Sequence, residues 1–318
     1  MTAGARIDVH HHLVPQFFID AQKAAGIQGT AYTKFPDWSP GRSLEIMERI
    51  RVAAAILSFT APGIWFGDVA GTVRLARRCN EYLAEVMANH PKRFGAFAML
   101  PFPDVDASLT EIDHALGTLK LDGVVHLTHV DGRYVGHADY GPVYEELNRR
   151  GAVVFVHPTY PPKSEERGWI VPRAIIDYPL ETTRTISNML FSGMLARLPD
   201  IRFILSHAGG AMPFLAHRLE LFDTLTPFRE RYPEGARHYL RRLWYDTALS
   251  ASAVQMDALR ALVGPDRILF GSDFPYVPDG TVEAESRDLD GYAGFDAEAR
   301  VLMERKNAAA LFPRFRSG

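Results

Sequence analysis

The stretch IDVHHHLVP, residues 7–15, decides the fold of this chain. It begins as a short apolar strand, and three histidines follow at the strand's carboxyl end. A doubly wound open sheet would usually carry a glycine-rich phosphate turn after its first strand, and histidines stand there instead. Residues i and i+2 of a strand face the same side. We therefore expect His10 and His12 to point together, while His11 points away and serves as a packing or hydrogen-bonding neighbour.

The rest of the chain repeats a plan of short apolar runs followed by longer amphipathic ones. Eight runs are predicted as strands: 6–9, 53–58, 94–100, 123–127, 152–157, 201–206, 243–247 and 267–270. Six segments have helical spacing: 68–89, 107–119, 142–150, 180–198, 253–263 and 296–312. Apolar strands that alternate with helices favour a parallel sheet covered on both faces. Eight such units predict an α/β fold of the (β/α)8, or TIM barrel, type.

Two segments depart from this repeat. Residues 15–42 are predicted to be a small insertion after strand 1, and residues 160–178 a long, proline-rich loop after the fifth strand. Long loops after strand ends are where barrels place substrate contacts and lids. No linker or internal repeat divides the chain, so we expect a single domain over residues 1–318.

Composition argues against several classes of function. Of the 318 residues, 47% are hydrophobic and 23% charged, and the formal net charge is −3. No cluster of Lys and Arg marks a nucleic-acid surface, and no run of 18 uncharged apolar residues predicts a membrane span. Cys79 is the single cysteine, which we interpret as a packed helical residue. A chain that cannot form an internal disulfide fits a cytoplasmic location.

Residues that bind metals follow the ends of four predicted strands: His10 and His12, then His157, then His207, then Asp273 in GSDFP. The carboxyl ends of barrel strands meet at one face, and imidazoles with a carboxylate can hold Zn²⁺ or a similar ion. We predict that His10, His12, His157 and Asp273 bind one divalent metal ion. Imidazole ligands favour zinc, with manganese as the alternative.

Some of these residues also have simpler interpretations. His157 suits a buried core histidine, His207 a structural turn residue before Ala-Gly-Gly, and Asp273 the cap of a following helix. His126 and His129 flank the end of the fourth strand, where they either line the pocket or serve structure alone.

Four motifs occur in an order that resembles a known family. IDVHHH at 7–12, VFVHP at 154–158, ILSHAGG at 204–210 and ILFGSDFP at 268–275 are similar to the amidohydrolase-related, metal-dependent decarboxylases. The resemblance implies that the same four residues ligate the metal and that His207 handles protons beside it. It also implies that Arg218, in FLAHR, reaches across a dimer interface to a substrate carboxylate in the neighbouring active site.

The resemblance also bears on the substrate. The His-x-His pair at 10–12 is similar to the branch whose type member acts on aminocarboxymuconate semialdehyde, whereas resorcylate-type members often begin with Glu-x-His. The arginine which that branch uses from its first insertion has no match in residues 30–37, where only Lys34 lies close. The shorter insertion and the WFGD run at 65–68 look more like members that act on simple aromatic acids such as 6-methylsalicylate.

Together these features predict a metal-dependent carboxy-lyase. It would remove CO₂ without oxidation from a small aromatic or unsaturated acid of the salicylate, resorcylate or aminocarboxymuconate type. His207 and Asp273 are the candidates for proton delivery to carbon, and Arg218, Trp169 and Tyr276 are assigned to substrate contact. The alternative is a lactone or amide hydrolase that uses a metal-activated water, with His207 as general base. The predicted partners are the substrate and a second copy of the chain in a homodimer with shared active sites; no nucleic acid or membrane is expected.

Overall fold

A computed structural model describes residues 6–30, 34–162 and 171–316 of the chain. The strands in this described part are β1 Arg6–His12, β2 Val52–Ser58, β3 Phe94–Met99, β4 Gly123–Leu127, β5 His129–Val130, β6 Arg133–Tyr134, β7 Val153–His157, β8 Arg202–Leu205, β9 Trp244–Asp246 and β10 Ile268–Leu269. Eight of them form one sheet in the order β1-β2-β3-β4-β7-β8-β9-β10, and its neighbouring strands pair in parallel. β5 and β6 form a separate antiparallel hairpin.

The main sheet closes on itself between its first and last strands. The N–H of Val9 donates to the carbonyl of Phe270 at 3.0 Å, and the N–H of Asp273 donates to the carbonyl of His10 at 2.9 Å. An eight-stranded parallel sheet joined in this way is a barrel. The predicted (β/α)8 architecture is therefore confirmed, and the carboxyl ends of its strands meet at one mouth.

Helices surround the described part of the barrel. They are α1 Gln16–Ala24, α2 Pro40–Arg49, α3 Val69–Asn89, α4 Val105–Ile112, α5 Gly141–Arg149, α6 Arg173–Phe191, α7 Met194–Arg197, α8 Met212–Glu220, α9 Thr226–Arg229, α10 Ala236–Leu240, α11 Ala253–Leu262, α12 Asp279–Gly291, α13 Ala297–Val301 and α14 Asn307–Leu311. Short π-helical turns cover Asp113–Thr118 and Leu302–Lys306. Short 3₁₀ turns cover Ala138–Tyr140, His207–Gly209, Pro265–Arg267 and Pro313–Phe315. None of the helices in the described residues is long and apolar enough to cross a bilayer.

Helix α3 shows how local sequence sets these elements. Asp68 is its N-cap, and the carboxylate accepts a hydrogen bond from the N–H of Gly71 at 3.0 Å, as its position predicts. Cys79 lies on the buried face of α3, and burial raises the pKa of its thiol well above the usual value. The interpretation of this cysteine as a packed helical residue is confirmed.

The prediction is wrong at the start of helix α6. The helix begins at Arg173 rather than at residue 180, so residues 173–178 of the predicted loop are helical. Pro179, which lacks an N–H donor, lies inside this helix, and its carbonyl accepts a hydrogen bond from Thr183 Oγ1 at 2.7 Å. The part of the predicted loop that includes Trp169 lies outside the described residues.

The barrel interior provides an apolar floor for the mouth. The rings of Phe97 and Phe155 stack there with centroids 5.3 Å apart, and both side chains are fully buried. The ring of His10 packs edge-on against Phe155 at 4.9 Å. The first histidine of the triple therefore rests directly on the hydrophobic core.

Candidate active site

Strand ends bring the predicted metal ligands together. His10 and His12 lie in β1, His157 ends β7 and Asp273 follows β10. All four are buried, and one ligand atom of each lies within 4.8 Å of the others. Nε2 of His10 is 3.0 Å from Nε2 of His12, and Asp273 Oδ1 is 3.2 Å from both. Donor atoms around a tetrahedral zinc ion are about 3.3 Å apart, so these residues fit a single divalent metal ion.

In two of the ligand histidines, the ring nitrogen Nδ1 contacts oxygen atoms of neighbouring residues. His12 Nδ1 lies 2.9 Å from Ser58 Oγ and 3.1 Å from the carbonyl oxygen of Ser58. His157 Nδ1 lies 2.8 Å from both Thr60 Oγ1 and the carbonyl oxygen of Pro158. Such contacts orient an imidazole and direct its other nitrogen toward a metal.

The charges at this cluster favour a bound cation. Burial lowers the pKa of His10, but the carboxylates of Asp246 and Asp273 outweigh it and raise that pKa to about 10. Burial also lowers the pKa of His12 and, helped by the neighbouring histidines, brings the pKa of His157 well below its usual value. For Asp273, burial is outweighed by the charge on His10 and by hydrogen bonds from the surrounding histidines, which hold its pKa well below the usual range. Two neutral imidazoles thus face carboxylates that attract positive charge, as a metal site requires.

His207 stands beside the metal cluster. Its Nε2 lies 3.3 Å from Asp273 Oδ2, and Nδ1 has no hydrogen-bond partner within the described ranges. His207 and Asp273 have φ values of +53° and +60°, a left-handed region that side chains rarely adopt. Gly210 completes the turn after His207, because a Cβ there would overlap the carbonyl oxygen of Pro179. Strained backbone of this kind concentrates at functional sites.

The cluster opens into a cavity of about 680 Å³. His157, His207 and Asp273 form its polar part, and the remaining wall is largely apolar. That wall consists of Ile27, Gly29, Thr30, Thr60, Ala61, Pro62, Tyr160, Ala174, Ile175, Tyr178, Pro179, Gly210, Leu249, Ser250, Gln255 and Tyr276. A concave, mainly apolar site with a few converging polar groups suits a small organic ligand.

The predicted substrate contacts have different positions. Tyr276 lines the cavity with its ring centroid 5.3 Å from that of His12, and burial together with Asp273 raises its pKa. Arg218 is exposed on α8 and lies outside the cavity lining. Trp169 falls in the segment that the structure does not describe. The substrate-binding roles of all three remain predictions.

The structure also separates the other histidines from the site. His11 points away from the cluster, as predicted, and its Nε2 lies 3.0 Å from Ser43 Oγ on α2. His126 and His129 line a different cavity of about 200 Å³. Asp273 is not the cap of a helix, since α12 begins at Asp279 with Pro278 at the N-cap.

Several site residues were missed at the level of sequence. Ser58 and Thr60 position ligand histidines, and Tyr178 lies with its ring 6.1 Å from that of His157. Asp246 lies 2.8 Å from Nδ1 of His10. An aspartate at the end of the apolar run LWYDT was the available signal for Asp246, whereas nothing in the local pattern distinguishes Ser58, Thr60 or Tyr178.

Comparison with known proteins gives consistent matches. The family model described as Amidohydrolase matches residues 7–314. The 6-methylsalicylic acid decarboxylase of Penicillium expansum is 37% identical over 98% of this chain and 97% of its own length. A solved structure described as an amidohydrolase II superposes with a TM-score of 0.91, at 27% identity, over 96% of this chain and 99% of that chain. A dihydroxybenzoic acid decarboxylase from Polaromonas sp., solved with bound manganese and the inhibitor 2-nitroresorcinol, shares the fold with a TM-score of 0.82, at 22% identity, over 99% of this chain and 98% of that chain.

Proposed function

This chain belongs to the amidohydrolase family, and from that premise we propose that it catalyses the metal-dependent, non-oxidative decarboxylation of a small aromatic or unsaturated carboxylic acid. The observation that carries the proposal is the meeting of four metal ligands with His207 at the wall of a mainly apolar cavity. The likeness to a 6-methylsalicylic acid decarboxylase over nearly the whole chain supports an aromatic acid as substrate.

The metal would be held by His10, His12, His157 and Asp273. A divalent ion bound there supplies a Lewis acid that can chelate the substrate carboxylate and an adjacent oxygen. We assign zinc, because imidazole ligands suit it; manganese, present in the Polaromonas structure, is the competing outcome. Elemental analysis of the purified, unchelated protein decides between them, and a stoichiometry near zero in active enzyme would remove the assignment.

Proton transfer falls to His207 and Asp273. When CO₂ leaves, its bonding electron pair stays on the substrate carbon, and a proton must reach that carbon. His207 Nε2 and Asp273 Oδ2 are 3.3 Å apart and can share a proton. His207 lines the cavity, so its ring lies beside the space that a substrate would occupy. A mainly apolar wall lowers the local dielectric constant, which strengthens the action of these charges on the reacting carbon.

Product analysis tests the proposed reaction. Metal-loaded protein is incubated with 6-methylsalicylate, salicylate, 2,6-dihydroxybenzoate and a panel of lactones, and CO₂ and the products are measured. In D₂O a decarboxylase leaves deuterium at the carbon that lost the carboxyl group, and a His207→Ala variant serves as the inactive control. Hydrolytic fragments from a lactone, without CO₂ release from any acid, would instead establish the hydrolase.

We also propose a homodimer in which Arg218 completes the neighbour's active site. Phe214 on α8 and Leu221 directly after it are 64% and 62% exposed, and they are four and three positions from Arg218, the spacing of neighbours on one helix face. Ile175 on α6 is 58% exposed and lines the cavity. A second copy packed there would cover the apolar side chains. The guanidinium could then bind a substrate carboxylate with two parallel hydrogen bonds.

Subunit mixing tests the shared site. Arg218→Ala and His207→Ala homodimers should each be inactive, while heterodimers formed by exchange should contain one intact site. Activity should therefore reappear on mixing. If exchange is demonstrated by mass spectrometry and no activity returns, the assignment of Arg218 to the neighbour's site is wrong.

Two broader assignments accompany the function. We propose a single catalytic domain, because one family model spans residues 7–314. We propose a cytoplasmic location, because the single cysteine is buried and reduced and needs no oxidising compartment. Fractionation of the source cells would test the second assignment.

A further inference from the structure

Asp246 ends strand β9 with its side chain fully buried. It is neither one of the four clustered metal ligands nor part of the cavity lining, so it does not reach a substrate. Its two carboxylate oxygens nevertheless contact two different parts of the active site. Neither the family match nor the named relatives assign it a role.

One oxygen of Asp246 holds the metal ligand His10. Oδ2 lies 2.8 Å from Nδ1 of His10. Because a carboxylate accepts hydrogen bonds, Nδ1 keeps its proton, so a metal ion that replaces the other proton of the ring binds at Nε2. The close approach is built into the barrel: a Cβ on Gly271 would lie 2.8 Å from Cβ of His10 and 3.1 Å from Cβ of Asp246.

The other oxygen of Asp246 holds the backbone of His207. Oδ1 accepts hydrogen bonds from the N–H of His207 at 2.9 Å and from the N–H of Ala248 at 3.0 Å. His207 and Ala208 both have left-handed backbone angles, with φ of +53° and +55°, which are unfavourable for residues with a Cβ. A fixed acceptor for the first N–H of this turn stabilises it, and with it the position of the His207 ring.

We propose that Asp246 is a positioning residue that couples the metal ligand to the proton-transfer histidine. One carboxylate sets the tautomer of His10 and the backbone of His207, so the two groups keep a constant relation to each other. The inference rests on the proposed function for the roles of these histidines. Its structural content, however, is independent of which substrate the enzyme uses.

Two substitutions at Asp246 separate the two links. In Asp246→Asn the amide oxygen can still accept from the two backbone N–H groups, while the amide NH₂ faces His10 and favours the tautomer that cannot bind metal through Nε2. We expect Zn²⁺ affinity, measured by competition with a chromophoric chelator, to fall about 10- to 100-fold, with hydrogen-exchange protection of the His207 amide retained. In Asp246→Ala both the Zn²⁺ affinity and that protection should be lost.

Asp8→Asn is the matched control. Asp8 is also fully buried, and its Oδ2 lies 3.0 Å from Nδ1 of His11, the histidine that points away from the metal cluster. Its Oδ1 accepts a hydrogen bond from the backbone N–H of His10 at 3.0 Å, and the amide oxygen of asparagine can keep that contact. The Zn²⁺ affinity of Asp8→Asn protein should stay within about threefold of that of the parent protein, a difference of about 0.7 kcal/mol.

Each outcome bears on a separate statement. Asp246→Asn protein with the Zn²⁺ affinity of the parent would overturn the link to His10. Unchanged amide protection of His207 in Asp246→Ala protein would overturn the link to that turn. Failure of the proposed decarboxylation would appear as absent CO₂ release in the unsubstituted protein and would leave both readouts intact.

Discussion

Strand β1 contributes one histidine to each of two buried aspartate–histidine pairs. One of these histidines faces the metal cluster and the other points away from it. In the inner pair, Asp246 lies 2.8 Å from Nδ1 of His10, and Nε2 of that ring faces the metal cluster. In the outer pair, Asp8 lies 3.0 Å from Nδ1 of His11, and Nε2 of that ring meets Ser43 Oγ. All four side chains of the two pairs are fully buried, so burial alone does not distinguish a metal ligand from a structural histidine.

What distinguishes the pairs is whether the hydrogen-bond network is complete. In the outer pair, the Asp8 carboxylate also accepts from the N–H and hydroxyl of Ser272 and from the backbone N–H of His10. Ser43 Oγ also accepts from the indole of Trp38. At the end of the inner pair, by contrast, Nε2 atoms and a carboxylate oxygen face one another at 3.0–3.2 Å. A bound cation would replace the proton shared by His10 and Asp273 and would pair the other nitrogen lone pairs of the cluster, since buried lone pairs left unpaired are costly. The metal-binding site is therefore the place where the protein's own hydrogen bonds leave buried lone pairs unpaired.

The largest predicted effect is on metal content and kcat, and it contrasts a histidine of the metal cluster with the histidine of the outer pair. His157→Ala should lose the metal and about a thousandfold in kcat, since a Lewis acid contributes several kcal/mol to transition-state stabilisation. His11→Ala should retain one metal ion per chain. Elemental analysis and steady-state kinetics on both variants make the test, and loss of metal from His11→Ala alone would show that the two sides of β1 have been exchanged.

Substitution of His207 tests whether every histidine that contacts the metal cluster is a metal ligand. His207 contacts Asp273 but lies outside the cluster of four. His207→Ala should therefore lower kcat by about 10²- to 10⁴-fold, the usual contribution of a general acid or base, while the metal content stays near that of the parent protein. Metal loss comparable to that of His157→Ala would make His207 a ligand instead.

His126 is another buried histidine, and it forms no aspartate–histidine pair with a described residue. Its neighbours are the carbonyl of Leu127 and the hydroxyl of Tyr144, and burial lowers its pKa from 6.5 to about 4. The unfolded chain therefore takes up a proton at a higher pH than the folded one. Stability contributed by the neutral ring is present above pH 6.5 and should be lost, by up to about 3 kcal/mol, as the pH falls toward 4.

Urea unfolding of metal-free protein at pH 7.5 and pH 4.5 measures this loss. The matched variant is His126→Gln, in which an amide replaces the titrating ring. Its unfolding free energy should fall less steeply with acid than that of the parent. Equal pH dependence in the two proteins would mean that the His126 ring titrates normally when buried.

The smallest predicted effect is Asp8→Asn in the outer pair. The amide oxygen can keep the contacts with the backbone N–H groups, while the amide NH₂ replaces Oδ2. Charge-assisted hydrogen bonds from His11 and the Ser272 hydroxyl are then replaced by neutral ones in which the amide donates, at a cost of about 1–2 kcal/mol. Thermal or urea unfolding should show this loss with metal stoichiometry unchanged. A metal-free but fully stable Asp8→Asn protein would contradict the distinction between the two pairs.

Much of the candidate site was predictable because it follows from alternation and from strand ends. His10 and His12 share a face of β1, His157 ends β7 and Asp273 follows β10, and these strands open on the same mouth. The start of α6 was not predictable from pattern, since Pro179 resembles a helix break. The two-residue strands of the β5–β6 hairpin are too short to show a period.

By itself, the order of apolar runs, helical segments and strand-end residues predicted the barrel and the meeting of His10, His12, His157 and Asp273 at its mouth, because these depend on local periodicity and on one topological rule. The family followed from the resemblance of four sequence motifs. Only the tertiary structure decided which aspartate serves which histidine. Asp246 is separated from His10 by 236 positions, and Asp8 from His11 by three, yet the distant partner belongs to the active site. Barrel closure sets that contact by bringing β9 and β10 beside β1, and no pattern confined to a single segment contains it.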